Sequence, residues 1–420
     1  MPLGATPALL FLIQAILLIA GPFLLWRLTG LRRVAPMVVV QILFGIALGP
    51  SVLGHAAPDL WAALFGKAAL APLSGLALLA VLFFAFLTGL HLDLAEFRGR
   101  GRAFVGISLS SMAVPTLMGG ALGLWIAGAF PAMAGPRADP WLFAAGFGIC
   151  IGVTALPVLG AILREMGLLE ERVGRLALGC AAVNDALLWL LITGVLAWAA
   201  GGGGGLAGIA QVAVLGFAYI GVTERFARPA LTRLMARVAP DGTIGDSAVV
   251  VTCAALLGSA AVTELIGLHC ILGAFVAGTV MPRRLAAAIL DRLEHFATLV
   301  LLPFFFTLTG LKVDLDLAGT AQWWVFALAT AATLAGKMLG AALPARLAGE
   351  SPADAWRLGT LMPCKGLMEV IVLTILLEAG ILSPACFSAM VLMAVAVTAA
   401  TQPMTLLAGR LAAAGPEKAP

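Results

Sequence analysis

Asp185 is a carboxylate placed about a third of the way along AAVNDALLWLLITGVLAW (181–198), an apolar stretch long enough to cross a lipid bilayer. A charged side chain near the bilayer centre costs about 2.5–3.5 kcal/mol on insertion scales, so such a residue indicates function. A carboxylate withdrawn from water can hold either a proton or a small hard cation, but not both. We predict that Asp185 binds both ions in turn, and that the oxygens of Asn184 and Thr154, with freed backbone carbonyls, complete the site.

Three other charged side chains, Lys337, Lys365 and Glu369, also lie within apolar stretches. Lys337 stands among small residues in LAGKMLGAAL, and because small residues let helices approach closely, it should face protein. It could then simply pair with a buried Asp185, which is the structural alternative to ion transport. Lys365 and Glu369 are four residues apart, a spacing that favours an intrahelical salt bridge, with direct contact to a transported ion as the alternative.

The composition places these residues in a membrane protein. Hydrophobic residues make up 62% of the 420 residues and charged residues only 11%, where a soluble protein has about a quarter charged. The six cysteines are widely spaced within apolar stretches, which is typical of small buried residues rather than disulfides or metal ligands. We expect no cofactor and no bound metal. The net charge of +4 lies in loops and indicates contact with anionic lipid, not nucleic acid.

The sequence predicts an all-α, polytopic fold with thirteen membrane-spanning helices. They lie near 8–26, 36–54, 69–90, 103–130, 140–163, 174–200, 206–224, 246–265, 266–282, 297–311, 322–345, 356–378 and 386–409. With the N-terminus outside, the predicted cytoplasmic loops and tail contain 20 of the 25 Lys and Arg residues, as the positive-inside rule expects. The predicted location is therefore the cell membrane, with the C-terminus in the cytoplasm.

The chain contains an internal repeat. FFAFLTGLHLDL (83–94) and FFFTLTGLKVDL (304–315) agree at eight of twelve positions, and AILREMGLL (161–169) and TILLEAGIL (374–382) agree at five of nine. Both pairs are offset by seven spans, so the copies cross the membrane in opposite directions. Inverted repeats of this kind are typical of secondary transporters, here with spans 1–6 and 8–13 as the two halves.

Two equivalent spans carry residues that interrupt a helix. Span five contains GVTALPVLG with Pro157, and span twelve contains MPCKGL with Pro363 and Gly366. Proline removes an amide donor, and glycine weakens a helix further. A simple kink would explain each one alone, but the shared offset favours a pair of discontinuous helices that cross each other.

Motifs along nearly the whole chain resemble the second branch of the monovalent cation:proton antiporter superfamily, which includes Kef-type and plant cation/H⁺ exchangers. The motifs that carry this resemblance are GIALGPSVLG (45–54), FFAFLTGLHLDL, TALPVLGAILREMGLL (154–169), AAVNDALLW (181–189), LPFFFTLTGLKVDL (302–315), GKMLGAALPARLAG (336–349) and LMPCKGLMEVIVLT (361–374). The resemblance implies exchange of Na⁺ or K⁺ for protons by alternating access, with Asp185 as the carrier of either ion. It also implies a homodimer.

The resemblance further implies a single exchanger domain over residues 1–413. Its parts would be a dimerisation panel at about 1–100 and 244–312, a linker helix at about 206–228, and an ion-transporting core at about 101–200 and 320–412. Residues 414–420 would be a short cytoplasmic tail without a regulatory domain.

The sequence departs at Asn184 and Lys337 from the family that it resembles. Members with two adjacent acids tend to be electrogenic, whereas members with Asn-Asp are often electroneutral but usually lack this lysine, so the stoichiometry stays open. Two other functions are alternatives. An organic-anion or drug transporter on a related scaffold would need a roomier site, and an intramembrane enzyme would need a nucleophile or metal motif that this sequence does not contain.

Overall fold

The computed structural model describes residues 6–30, 37–91, 101–169, 171–200, 205–315 and 320–413. Over these ranges the chain is helical, and its only β-type pairing is an isolated bridge between Ala134 and Leu382. The predicted tail at 414–420 and the end of the first repeat copy, with Asp93, lie outside the described residues.

The described ranges contain nineteen α-helices. They are α1 (Pro7–Leu28), α2 (Met37–Leu48), α3 (Pro58–Phe65), α4 (Lys67–His91), α5 (Gly101–Ala129), α6 (Pro140–Gly152), α7 (Leu156–Glu165), α8 (Arg172–Ala200), α9 (Gly205–Val222), α10 (Arg228–Val238), α11 (Asp246–Leu265), α12 (Cys270–Val280), α13 (Arg283–Phe296), α14 (Leu302–Leu311), α15 (Thr320–Lys337), α16 (Leu343–Leu347), α17 (Pro352–Leu361), α18 (Leu367–Glu378) and α19 (Pro384–Ala413). Single π-helical segments at Pro50–Gly54, Thr223–Ala227, Ala297–Leu301 and Met338–Ala342 extend some of them.

Eight helical segments within the described residues are long and apolar enough to cross a membrane. They are Pro7–Leu28, Met37–Gly54, Ala69–His91, Gly101–Ala129, Arg172–Ala199, Asp246–Leu265, Thr320–Leu347 and Pro384–Gly409. The other predicted spans fall on α9 and on shorter helices: α6 with α7, α12, α14, and α17 with α18. The predicted spans eight and nine are separate helices, α11 and α12, because the chain turns at Gly267, whose φ of +80° suits glycine. The total of thirteen crossings stays a prediction.

The chain divides into two compact units. The first consists of Met1–Leu94 with Leu196–Asp314, and the second of Ala95–Val195 with Leu315–Pro420. All the charged residues that the sequence places inside apolar stretches belong to the second unit, whereas the Thr-Gly pairs of the first repeat motif belong to the first.

In the first unit, the two Thr-Gly pairs bring helices into close contact. A Cβ on Gly89 of α4 would lie only 3.0 Å from the carbonyl carbon of Phe275 on α12. A Cβ on Gly310 of α14 would lie 2.7 Å from the Cα of Gly45 on α2. The first contact joins spans three and nine, and the second joins spans ten and two. A repeat offset by seven spans makes three equivalent to ten and two equivalent to nine, so the two contacts are equivalent.

Replacing Gly89 tests this contact, because α4 also contains a matched control. We expect Gly89→Ala to lower the unfolding temperature of the purified protein, because forcing a methyl group into a closely packed interface costs about 1–3 kcal/mol. Gly75 lies in the same helix with no atom within 4 Å of its would-be Cβ, so Gly75→Ala should leave the temperature unchanged or raise it slightly. Equal effects of the two substitutions would contradict the role given to Gly89.

Candidate ion-binding site

Two helical segments of the second unit are interrupted. Residues 153–155 separate α6 from α7, and residues 362–366 separate α17 from α18. Pro157 lies in the first turn of α7, where its missing N–H costs nothing, while Pro363 and Gly366 lie in the second gap. Gly366 faces α7 closely, since a Cβ there would overlap Cγ2 of Val158.

The two interruptions contact each other and satisfy part of each other's backbone. The Ala155 N–H donates to the carbonyl of Cys364 at 3.0 Å, and the Thr154 hydroxyl donates to the carbonyl of Met362 at 2.8 Å. Unpaired backbone groups are costly away from water, so these hydrogen bonds hold the two gaps together. Thr154, predicted as an ion ligand, here links the two broken segments.

Lys337 is the last residue of α15, and its side chain is fully buried. Its ammonium group lies at the C-terminal end of α6. Its ammonium donates to the Thr154 hydroxyl at 2.6 Å, to the carbonyl of Ser111 at 3.0 Å and to the carbonyl of Gly152. The Gly152 carbonyl is the last of α6, and the Ser111 carbonyl lacks a helical donor because the residue four positions later is Pro115. The lysine therefore satisfies carbonyls freed at two separate helix defects, where a positive charge is also favourable.

Small residues position Lys337. A Cβ on Gly336 would lie 2.9 Å from the Cα of Pro115, and one on Gly340 would lie 3.2 Å from its Cδ. The two glycines thus bring the end of α15 against the proline of α5. The helix widens into a π turn at Met338–Ala342, directly after the lysine.

Lys365 and Glu369 form an ion pair in which neither side chain is exposed to solvent, with 2.8 Å between Nζ and Oε2. The same ammonium donates to the carbonyl of Ile151 at 3.1 Å and to that of Cys150. Lys365 therefore does more than pair with its helical neighbour, because it also satisfies two of the last carbonyls of α6.

Asp185 is 1% exposed, and neither of its carboxylate oxygens has a hydrogen-bond partner. The backbone N–H of Leu156, at the start of α7, and the Lys337 ammonium act on it electrostatically, without closing a hydrogen bond. The N-terminal end of a helix favours negative charge. The alternative in which Asp185 pairs with Lys337 is not what the structure shows: no ion pair within 4.0 Å joins them, because three oxygens already hold the ammonium.

Asn184 contacts α5 through its side-chain amide. Its Nδ2 donates to the Ser111 hydroxyl at 3.2 Å, and that hydroxyl lies 2.8 Å from the carbonyl of Ser108, to which it donates. Ser111 and Pro115 were not predicted from the sequence to belong to the site. Their four-residue spacing within an apolar span was the available signal, since it leaves a carbonyl that some other donor must satisfy.

The sequence model of a family described as "Sodium/hydrogen exchanger, transmembrane" matches residues 15–408. The chain belongs to this family. It is therefore a multi-pass membrane protein of a transporter family, and its resemblance to cation:proton antiporters is confirmed.

Individual relatives agree with this assignment. The chain is 30% identical over 408 residues to Na(+)/H(+) antiporter NhaS4 of Synechocystis sp., covering 96% of this chain and 98% of that protein. It is 34% identical over 396 residues to Cation/H(+) antiporter 18 of Arabidopsis thaliana, covering 93% of this chain but 48% of that protein. The chain thus spans about half the length of its Arabidopsis relatives.

The fold is similar to that of a solved structure. The sodium proton antiporter MjNhaP1 from Methanocaldococcus jannaschii superposes with a TM-score of 0.60 at 14% identity, covering 97% of this chain and 99% of that one. This likeness shows the fold, which is all-helical in the described residues apart from one isolated bridge.

A coupling experiment tests the link between Lys337 and Pro115. Pro115→Ala restores an N–H that can donate to the Ser111 carbonyl, so Lys337→Met should then lose less stability than in the wild-type background. We expect a difference of about 1–3 kcal/mol, the cost of one unsatisfied buried carbonyl. This difference is measured by thermal unfolding of Lys337→Met, of Pro115→Ala and of the variant that carries both substitutions. Pro22→Ala, at an interior proline of α1, is the control background, and equal losses in all three backgrounds would show that the lysine does not serve Ser111.

Lys365 donates to Glu369 and to two carbonyls of α6, so we expect its replacement to cost more stability than replacement of Glu369. Lys365→Met leaves a buried carboxylate and two helix carbonyls without a donor and should cost about 3–5 kcal/mol of unfolding free energy. Glu369→Gln keeps an acceptor for the ammonium and should cost clearly less. Removing Arg228 from the exposed pair with Glu224, also four residues apart, should cost under about 1 kcal/mol. Similar losses for Lys365→Met and Glu369→Gln in thermal unfolding would contradict this account.

Proposed function

We propose that this protein exchanges Na⁺ or K⁺ for protons across the membrane by alternating access, with Asp185 carrying either ion. The observation that carries the proposal is that Asp185 is buried with both carboxylate oxygens unpaired, while the adjacent Asn184 and the Lys337 that acts on it are engaged by other protein groups. Relatives that are named as Na(+)/H(+) and K(+)/H(+) antiporters support it.

The chemistry follows from what an unpaired buried carboxylate needs. Either a proton or a monovalent cation neutralises the charge, and the two compete because both use the same oxygens. The N-terminal end of α7 stabilises the empty carboxylate between the two loaded forms. We propose Asp185 as the first ligand of the cation, with the oxygens of Asn184 and Thr154 as further ligands once they release Ser111 and Lys337.

We propose the predicted architecture as the frame for this exchange. It has thirteen spans, with the N-terminus outside and the C-terminus in the cytoplasm. The proposed role of the protein is to help regulate the pH of the cell. The moving core, at about 101–200 and 320–412, falls almost wholly within the second compact unit, and the dimerisation panel, at about 1–100 and 244–312, largely within the first. That correspondence supports the division of roles, with crossed discontinuous helices in the core and a homodimer formed through the panel.

An organic-anion or drug transporter is the second candidate, and the site does not favour it. Asn184, Thr154 and Lys337 are packed at hydrogen-bond distances from other protein groups, and this compact arrangement suits a bare ion better than an organic anion. Uptake of radioactive sodium and potassium into everted membrane vesicles, driven by an imposed pH gradient, separates the two functions and decides between the two cations.

The carrier role makes a direct prediction for Asp185→Asn. This variant keeps the shape of the side chain but cannot exchange a proton for a cation, so cation-dependent proton movement in proteoliposomes should cease. Expression and unfolding temperature should stay close to wild type, because no hydrogen bond to the carboxylate is lost. Asp59→Asn, at an exposed acid on α3, is the matched control and should transport normally. Exchange above about a tenth of the wild-type rate in Asp185→Asn would exclude this residue as the carrier.

A further inference from the structure

A cavity of about 270 Å³ lies in the second unit where α5 and α8 begin. Its base is apolar and includes Phe104 and Ile107, which are 6% and 3% exposed. Its rim carries three charged side chains, Arg172, Arg175 and Glu350. The exchange chemistry proposed for Asp185 uses none of these residues.

The charges of the rim favour an anion. Arg172 donates to Glu350 at 2.8 Å, and the arginine side chain is 76% exposed while the glutamate is 13% exposed. A guanidinium has five N–H donors, so one hydrogen bond to Glu350 leaves four N–H groups of this largely exposed side chain for other acceptors. With Arg175, the three rim side chains carry a net charge of +1. Arginine's planar fork of donors matches the geometry of a phosphate group.

The surroundings of the cavity favour an anion with an apolar tail. On α5, next to the cavity, Val105 and Leu109 are 53% and 46% exposed, and further along Leu117 is 73% exposed. In a membrane protein, an apolar helix face that protein does not cover lies against lipid chains. The cavity is thus positively charged at its rim, apolar at its base and next to a surface that suits hydrocarbon.

We propose that this cavity binds the phosphate headgroup of an anionic phospholipid, whose acyl chains lie along the exposed face of α5. The volume suits a headgroup, since sites for drug-sized ligands begin at about 300 Å³. Phe104 and Ile107 contact the glycerol end of the lipid, and Arg172 and Arg175 hold its phosphate.

A lipid bound in the cavity affects the ion site through the contact between α5 and α8. Ser108 of α5 donates to the sulfur of Cys180 at 3.4 Å, and Asn184 of α8 donates to Ser111 at 3.2 Å. A lipid held by the first turns of both helices stabilises this contact, which ends next to Asp185. This effect on transport rests on the proposed function, whereas binding of the lipid does not.

Native mass spectrometry of the detergent-purified full chain tests binding. Phosphatidylglycerol should be retained over phosphatidylcholine, and Arg175→Gln should weaken its retention about tenfold, while Arg175→Lys keeps part of it. Arg172→Gln should act similarly, although it also breaks an ion pair. The control is Arg228→Gln, at an exposed, ion-paired arginine of the other unit, and it should bind like wild type. Equal retention of both lipids, equal loss in the control, or equally tight binding of inorganic phosphate alone would overturn the proposal.

Transport in proteoliposomes tests the consequence. Adding phosphatidylglycerol to phosphatidylcholine vesicles should raise the exchange rate of wild type and of Arg228→Gln, but not that of Arg175→Gln. Binding with no change of rate would overturn the link to transport and leave the lipid site standing. No exchange by wild type in either lipid, with binding intact, would count against the proposed function and not against the site.

Discussion

The end of α6 in a low-dielectric interior is the constraint on which the rest of this site depends. A helix ends with four carbonyls that have no intrahelical donor, and a membrane interior supplies no water to satisfy them. Here the Ile149 carbonyl accepts from the Val153 N–H at 3.1 Å, and those of Cys150 and Ile151 accept from Lys365. The Gly152 carbonyl accepts from Lys337. Two buried lysines are thus fixed by backbone geometry.

This arrangement decides which buried charge is available to an ion. Both ammonium groups are held by carbonyls, and Glu369 accepts from Lys365 through Oε2, although its Oε1 has no hydrogen-bond partner. Asp185 faces the opposite kind of helix end, the start of α7, where the backbone offers favourable potential and no closed hydrogen bond. The interruption of span five therefore creates two helix ends. The negative C-terminal end of α6 binds the two lysines, and the positive N-terminal end of α7 leaves the Asp185 carboxylate without a hydrogen-bond partner. Under the proposed function, the first end is structural and the second carries the ion.

Much of this could be predicted from the sequence, because the expense of a charge in an apolar span makes Asp185, Lys337, Lys365 and Glu369 conspicuous. Pro363 and Gly366 likewise marked the second interruption. The partners of Lys337 could not be predicted the same way. Two of its acceptors are backbone carbonyls of α5 and α6, and although Pro115 indicates that the Ser111 carbonyl is freed, nothing in the sequence indicates which side chain satisfies it.

The helices outside the predicted spans, α3, α10 and α13, escaped prediction for a related reason. They are short, and α10 and α13 are charged on one face, so a search for long apolar runs passes over them. Their existence depends on the packing of neighbouring helices more than on their own hydrophobicity.

The most direct test of the account counts the protons released when a cation binds. If only Asp185 exchanges one ion for the other, while Lys337 and Lys365 stay bound to the carbonyls of α6, each cation should displace one proton at most. Isothermal titration calorimetry of the purified protein with Na⁺ and K⁺, repeated in buffers of different ionisation enthalpy, measures this number. At a pH where Asp185 is protonated before binding, we expect a value that approaches one proton per cation. Two protons per cation would contradict Asp185 as the sole carrier, because a lysine would then also give up its proton.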